Sequence, residues 1–321
     1  MSEVTEFYNF ALEVAHYGGN KIKEGYYSQT VSSNLQSKAD PCDLVTQYDQ
    51  EIEREAIKMI KDKFPSHRII GEESDAAGEK WSLTDDPTWI IDPIDGTSNF
   101  VHRFPFVCIS IGVFVKKKPV VGVVFNPILN ELFTAQVGKG AYLNQKQRLP
   151  IFDPTSAVVK SPRDCMVISE FGGLRDSASL LPKSSSMYKF AVAAQEGGLG
   201  CRGIRCLGSA ALDLCQLAQG SADVYWEAGP YIWDIAAALL ILKESGGFAI
   251  SSASPNMTLD QAHKFDFLAR TVLAVRSLAP VPSDRPRSQQ ENIAADSHAL
   301  DILNMFKTHI ESVPLKKHGS E

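Results

Sequence analysis

In the stretch "WIIDPIDGTSNF" two aspartates, Asp92 and Asp95, end an apolar run and precede a glycine and two hydroxyl residues. Other acids are joined to apolar or glycine-marked segments in the same way: Glu72 and Glu73 in "RIIGEES", and Asp234 in "YIWDIAAALL". A carboxylate led into an apolar interior without a partner takes up a proton or costs several kcal/mol. A cation is the simplest common remedy. The donors are all oxygens, which suits Mg²⁺, Mn²⁺ or Ca²⁺ better than zinc.

The spacing adds a second element of chemistry. Pro93 fixes one backbone angle and stiffens the link between the aspartates, so both side chains can enter one cavity at a strand end, with the Ile94 carbonyl between them. Gly96 permits a tight turn, and Thr97 and Ser98 can cap a helix whose free N–H groups face an anion. Mg²⁺ keeps several waters and bridges to substrate phosphates, so phosphoryl chemistry is the natural reading. The competing readings are structural: a surface turn for Asp92 and Asp95, a helix cap for Asp234, a solvated acidic turn for Glu72 and Glu73. Recurrence of the pattern in three places favours the metal.

The elements that must position these acids can also be read. Phe7, Phe10, Ala11, Val14 and Ala15 recur at helical spacing, as do Ile52, Ala56, Met59 and Ile60, which predicts two amphipathic opening helices. Short apolar runs over 106–145 predict an antiparallel meander. A polar, proline-containing stretch at 146–162 marks a boundary between an N-terminal αβ half, 1–150, and a second αβ half, 151–278. In the second half "CMVISEF" and "ADVYWEA" predict strands, while "GSAALDLCQLAQG" and "DIAAALLILKESGG" predict helices stopped by glycine. From 279 to 321 the composition predicts a flexible linker, then a short terminal helix with Leu300, Leu303, Phe306 and Ile310 behind a Ser297 cap. The fold class is mixed α and β.

Whole-chain properties narrow the partners. The chain has 321 residues, 44% of them apolar, enough for a large core, and a net charge of -6, which argues against nucleic acid and anionic lipid. The opening residues lack the basic and uninterrupted apolar parts of a secretory signal, and the six cysteines form no CxxC pair. A cytoplasmic location with reduced thiols and no membrane span is expected.

"GEES", "DPIDGTSNF" and "WDIAAALLILKESGG", in this order, resemble the signature set of the inositol monophosphatase family, and "NFVHRFPF" and "GSAALDLC" resemble its animal-type members. The resemblance extends to about residue 276. It implies a layered αβαβα sandwich, assembled as a homodimer. It implies that Glu72, Asp92 and the Ile94 carbonyl hold one Mg²⁺, that Asp92, Asp95 and Asp234 hold a second, and that a weaker third ion leans on Glu72. Water would attack phosphorus directly, oriented or deprotonated by Thr97 hydrogen-bonded to Asp49, with Glu73 as a further water-positioning acid. Asp95 and Glu227 would accept hydrogen bonds from ring hydroxyls, and Gly96, Thr97, Gly208, Ser209 and Ala210 would complete the substrate site.

For Asp49 and Glu227 the plain alternatives are a dipole-favoured helix start and an ordinary strand end. Two features depart from the animal pattern: Tyr231, where those enzymes often carry histidine, and "FGGLRD", which replaces a more serine-rich loop. The implied activity is Mg²⁺-dependent, lithium-sensitive hydrolysis of inositol monophosphate to myo-inositol and phosphate. The alternatives are a phosphatase for a sugar phosphate or a phosphoadenosine nucleotide, or a catalytically silent metabolite-binding homologue whose tail recruits a partner. Under the enzyme reading, removal of the tail at about residue 278 is expected to leave turnover unchanged.

Overall fold

Ser2 caps the first helix, α1 (Glu3–Tyr27), its hydroxyl accepting the Thr5 N–H at 3.3 Å. The computed structural model describes residues 2–28, 47–151, 159–251, 257–281 and 290–315, together with the backbone of 36–37, 44–45 and 289. Cys42, residues 152–158 of the expected boundary and residues 282–288 of the expected linker lie outside the described residues; the other five cysteines are free thiols.

After α1, β1 (Gln36–Ser37) and β2 (Leu44–Val45) pair as an antiparallel ribbon ahead of α2 (Gln47–Lys63). One sheet then follows in the order β3 (Arg68–Gly71), β4 (Thr88–Asp95), β5 (Cys108–Val115), β6 (Lys118–Asn126), β7 (Glu131–Gln136), β8 (Ala141–Leu143) and β9 (Gln147–Arg148). The β3–β4 pair is parallel and the rest are antiparallel, the expected meander. Short helices α3 (Glu72–Ala76) and α4 (Thr97–His102) leave the ends of β3 and β4.

The second sheet is mixed, ordered β11 (Gly203–Arg205), β10 (Met166–Ser169), β12 (Val224–Ala228), β14 (Thr271–Val275), β13 (Phe248–Ile250). The helices of this part are α5 (Ser177–Ala191), α6 (Ala210–Gln219), α7 (Ile232–Glu244), α8 (Leu259–Ala262) and α9 (Gln289–Lys307).

Strand alternation sorts the side chains into layers. Ile109 and Ile111 of β5 and Val121 and Val123 of β6 face α1 and α2, whereas Cys108 and Val124 face α6 and α7. On the other sheet Tyr225 of β12 and Ala274 of β14 face α6 and α7, while Val224, Trp226, Leu273 and Val275 pack with Phe190 of α5 and with α9. The result is helix, sheet, helix, sheet, helix, the expected αβαβα sandwich. The middle helix α7 lies close on the first sheet because two cross-strand partners beneath it, Gly112 and Gly122, have no side chain. A Cβ on Gly122 would stand 2.4 Å from the Ala237 carbonyl oxygen.

The C-terminal helix differs from its expected form. It begins at Gln289, so Ser297 is an exposed residue in its middle and not a cap. It docks: Leu300, Ile302, Leu303 and Phe306 are buried against the second sheet. Among the described residues no helix is long and apolar enough to cross a membrane.

Candidate metal centre and active site

Asp92 pairs with Ser110 and Asp95 with Cys108, so three steps along β4 answer two along β5. The extra residue is a β-bulge at Pro93–Ile94, where proline's missing N–H costs the ladder least. Without it, residues three apart would point to opposite faces of the sheet. With it, both aspartates turn toward α6 and α7. Asp92 closes the bulge by accepting the Ile94 N–H at 3.0 Å.

Asp234 enters from the first turn of α7, and Asp92, Asp95 and Asp234 each offer an oxygen within 4.8 Å of the others. Asp234 also accepts the Tyr231 N–H at 2.7 Å, so it caps its helix as well as standing in the cluster. Glu72, at the start of α3, lies within hydrogen-bonding reach of Asp92. Burial, then Glu72, Asp95 and Asp234, hold the Asp92 carboxyl well above the usual carboxylate range. Burial, then Asp95 and Glu72, do the same to Asp234. Asp95 is pushed up to about 6 by burial, although the Ser209 hydroxyl, at 2.6 Å, and the Ala211 N–H, at 2.8 Å, oppose the rise. Crowded like charges of this kind are relieved by a cation bound among them, and an all-carboxylate set suits a hard divalent ion. The donors present therefore fit Mg²⁺.

Gly96, at φ 90°, makes the turn from β4 into α4, and a Cβ there would meet the Phe106 carbonyl oxygen at 2.9 Å and that of Gly208 at 3.0 Å. The turn presents Thr97, whose hydroxyl lies 3.3 Å from Asp49 Oδ1 and 3.0 Å from the Ile94 carbonyl oxygen. Asp49 is buried on α2, so the expected Thr97–Asp49 contact is present.

On the opposite wall, Ser209 caps α6 by accepting the Leu212 N–H and donates its own proton to Asp95. The Gly208 N–H is taken by Glu170 at 3.0 Å, and its carbonyl by the Asn99 side chain at 3.3 Å. Glu227, on β12, accepts the Tyr225 hydroxyl and is raised to about 7 by burial, with Glu170 adding to the effect. Tyr231 stacks on Trp233 and under the Arg270 guanidinium.

Glu73 contributes its backbone N–H to Glu53 Oε2 at 2.7 Å, a tie that points to a residue sequence reasoning missed. Glu53 is buried on α2 and also accepts the Ser74 N–H and hydroxyl, at 2.8 and 2.6 Å, so it moors the start of α3 and hence Glu72. The signal was its place on the apolar face with Ile52, Ala56 and Ile60. Glu170 and Asn99, which brace the Gly208 turn, were missed too. Glu170, like Asp92, follows an apolar strand. Buried Lys183 is a fourth omission: its Nζ donates to the Phe171 carbonyl at 2.6 Å. A methyl on Gly172 would touch both that Nζ, at 3.3 Å, and Glu227 Oε1, at 3.4 Å.

Residues 3–301 match the inositol monophosphatase family. The chain is 40% identical over 273 residues to inositol monophosphatase 1 of Homo sapiens, spanning 85% of this chain and 90% of that protein. It is 35% identical over 301 residues to protein qutG of Emericella nidulans, spanning 90% and 91% respectively. Among solved structures, extragenic suppressor protein suhB from Bartonella henselae is similar with a TM-score of 0.66 and 26% identity, over 91% of this chain and 97% of that one.

Proposed function

The chain belongs to the inositol monophosphatase family and is a phosphoric monoester hydrolase, and from that premise we propose that it hydrolyses inositol monophosphate to myo-inositol and phosphate with Mg²⁺. The observation that carries this reading is the convergence of Asp92, Asp95 and Asp234 within 4.8 Å, beside Thr97 hydrogen-bonded to Asp49. Residues 1–150 and 151–278 act as the two halves of the site.

Glu72, Asp92 and the Ile94 carbonyl would hold one ion and Asp92, Asp95 and Asp234 a second, with Glu72 and waters holding a third. Bound Mg²⁺ supplies positive charge that acidifies water, binds the phosphate and offsets the leaving oxygen's charge. The Thr97 hydroxyl has one proton and two acceptors within reach. When that proton goes to Asp49, the Ile94 carbonyl is released and the Thr97 lone pairs can accept a proton from the attacking water. Glu73 positions that water. Gly96 and Thr97, at the turn into α4, would contact the phosphate. Glu227 and Asp95 accept hydrogen bonds from substrate hydroxyls, and the Gly208–Ala210 turn closes the wall. The active species is a cytoplasmic homodimer, and lithium inhibits it.

Lys183 favours a second reading. A buried ammonium beside Glu227, behind the "FGGLRD" loop, changes the charge where a polyol would lie, which suits another small phosphate ester such as a sugar phosphate or a phosphoadenosine nucleotide. Phosphate release by the full-length protein from each of these esters, with Mg²⁺, with EDTA and with added Li⁺, decides between them. Mg²⁺-dependent turnover is expected, fastest on inositol monophosphate and depressed by Li⁺. Faster turnover of another ester would move the substrate, and turnover unaffected by EDTA would overturn the metal reading.

A further inference from the structure

Behind β12, on the face away from the carboxylate cluster, a cavity of about 160 Å³ lies between the second sheet and the segment that follows α9. Its walls are mainly apolar, with Trp226 and Leu273 on the sheet side and Ile310 and Val313 on the other. A cavity of roughly this volume has room for a benzene-sized body. The last residue of α9, Lys307, also lines it. Lys307 is only 6% exposed, and its Nζ is buried with no hydrogen-bond partner among the described residues.

Lysine ordinarily carries its ammonium out to water. Polar side chains that line the same cavity make contacts with other groups. Glu311 is held by Lys189 Nζ at 2.8 Å and by the Ser185 hydroxyl at 2.5 Å. The Ser251 hydroxyl accepts the Asp266 N–H, and the Thr271 hydroxyl donates to the Ser251 carbonyl, both at 2.8 Å.

We propose that this cavity binds a small monocarboxylate with a compact apolar body, its carboxylate paired with Lys307. The apolar walls suit the body, and the single unpartnered ammonium suits one negative charge. A phosphate ester dianion would bury a second charge without a partner, so the ligand class differs from that of the catalytic substrate. Burial holds the Lys307 pKa below its ordinary value, and a paired carboxylate would offset that cause. The occupant would also lie behind the proposed substrate wall, because Trp226 and Ala228 line the cavity on either side of Glu227 in β12.

Benzoate is a suitable probe, and benzyl alcohol is its neutral control. Each is titrated into metal-free full-length protein by calorimetry, a state in which the acidic catalytic cluster repels carboxylates. Saturable one-to-one binding of benzoate is expected, with benzyl alcohol weaker by about tenfold or more, since a charged hydrogen bond is lost. Lys307→Met, which keeps the chain length, is expected to weaken benzoate by a similar factor. No saturation at millimolar benzoate, equal affinity for the two probes, or unchanged affinity in Lys307→Met would each overturn the proposal. If Lys307→Met does not fold, Val313→Phe fills the cavity while keeping the lysine: lost binding supports the site and retained binding refutes it.

Discussion

Asp92 has two burdens in the proposed arrangement, bridging both ions and sharing a crowded pocket with Glu72, Asp95 and Asp234. Asp92→Asn is expected to lower turnover by about three orders of magnitude and to weaken Mg²⁺ in calorimetry, while the metal-free variant melts higher than wild type because a buried acid that must either repel its neighbours or take up a proton is gone. Near-normal turnover would remove the two-ion assignment. Glu227 gives a pH test. Its folded-state pKa of about 7 exceeds the ordinary 4.5, so the folded form holds a proton that the unfolded form has already lost. Stability from this group is present below about pH 4.5 and falls as pH rises through about 7, by about 3 kcal/mol at roughly 1.4 kcal/mol per tenfold in proton affinity. Glu227→Gln should therefore match wild type in denaturant unfolding at acid pH and exceed it at mildly alkaline pH. Asp92 and Asp95 were legible in the sequence because they end an apolar run. Glu53 and Glu170 were not, since "DQEIERE" reads as a solvated charged helix until its residues are sorted by face, and Glu170 is a single acid with no partner in sequence.

Among the elements, α3 depends on a partner distant in sequence. Its first N–H groups are free at a helix start, and Glu53 of α2 takes those of Glu73 and Ser74. Glu53→Ala should leave the fold in place and weaken Mg²⁺ about tenfold or more, because Glu72 loses its anchor; titration of activity against Mg²⁺ measures this. The opening helices, the meander, α6 and α7 were readable because each carries an unbroken apolar stripe or alternation. Two helices were harder. Helix α5 is serine-rich and contains Pro182, which masked the Asp176 cap that accepts the Ser179 N–H at 3.0 Å. Residues 290–294 of α9 are exposed, so no apolar pattern marked its start at Gln289. The bulge in β4 was half legible: proline announced a break in the ladder, but only pairing with Ser110 and Cys108 shows that the break turns both aspartates to one side.

At the scale of the molecule, the carboxylate site is built from both sheets and the helices between them, and α9 is part of the fold that holds the second sheet. Truncation near residue 278 would strip away buried Leu300, Ile302, Leu303 and Phe306. At about 2 kcal/mol per side chain this approaches the whole net stability of a domain. The truncated chain is therefore expected to lose its cooperative melting transition in circular dichroism, and its turnover with it, contrary to the expectation from sequence that the tail is dispensable. A subtler dependence follows from the glycine pair beneath α7. Ala236 and Ala237 rest on Gly112 and Gly122, within one turn of Asp234, so the clearance between helix and sheet sets the span from Asp234 to Asp92. Mg²⁺ demands oxygens at about 2.1 Å, whereas Ca²⁺ accepts about 2.4 Å. A methyl wedged in by Gly122→Ala would widen the span and shift preference toward cations of larger ionic radius, measurable by competition between the two ions. Size selection among ions then resides in a patch of apolar packing that no cation touches.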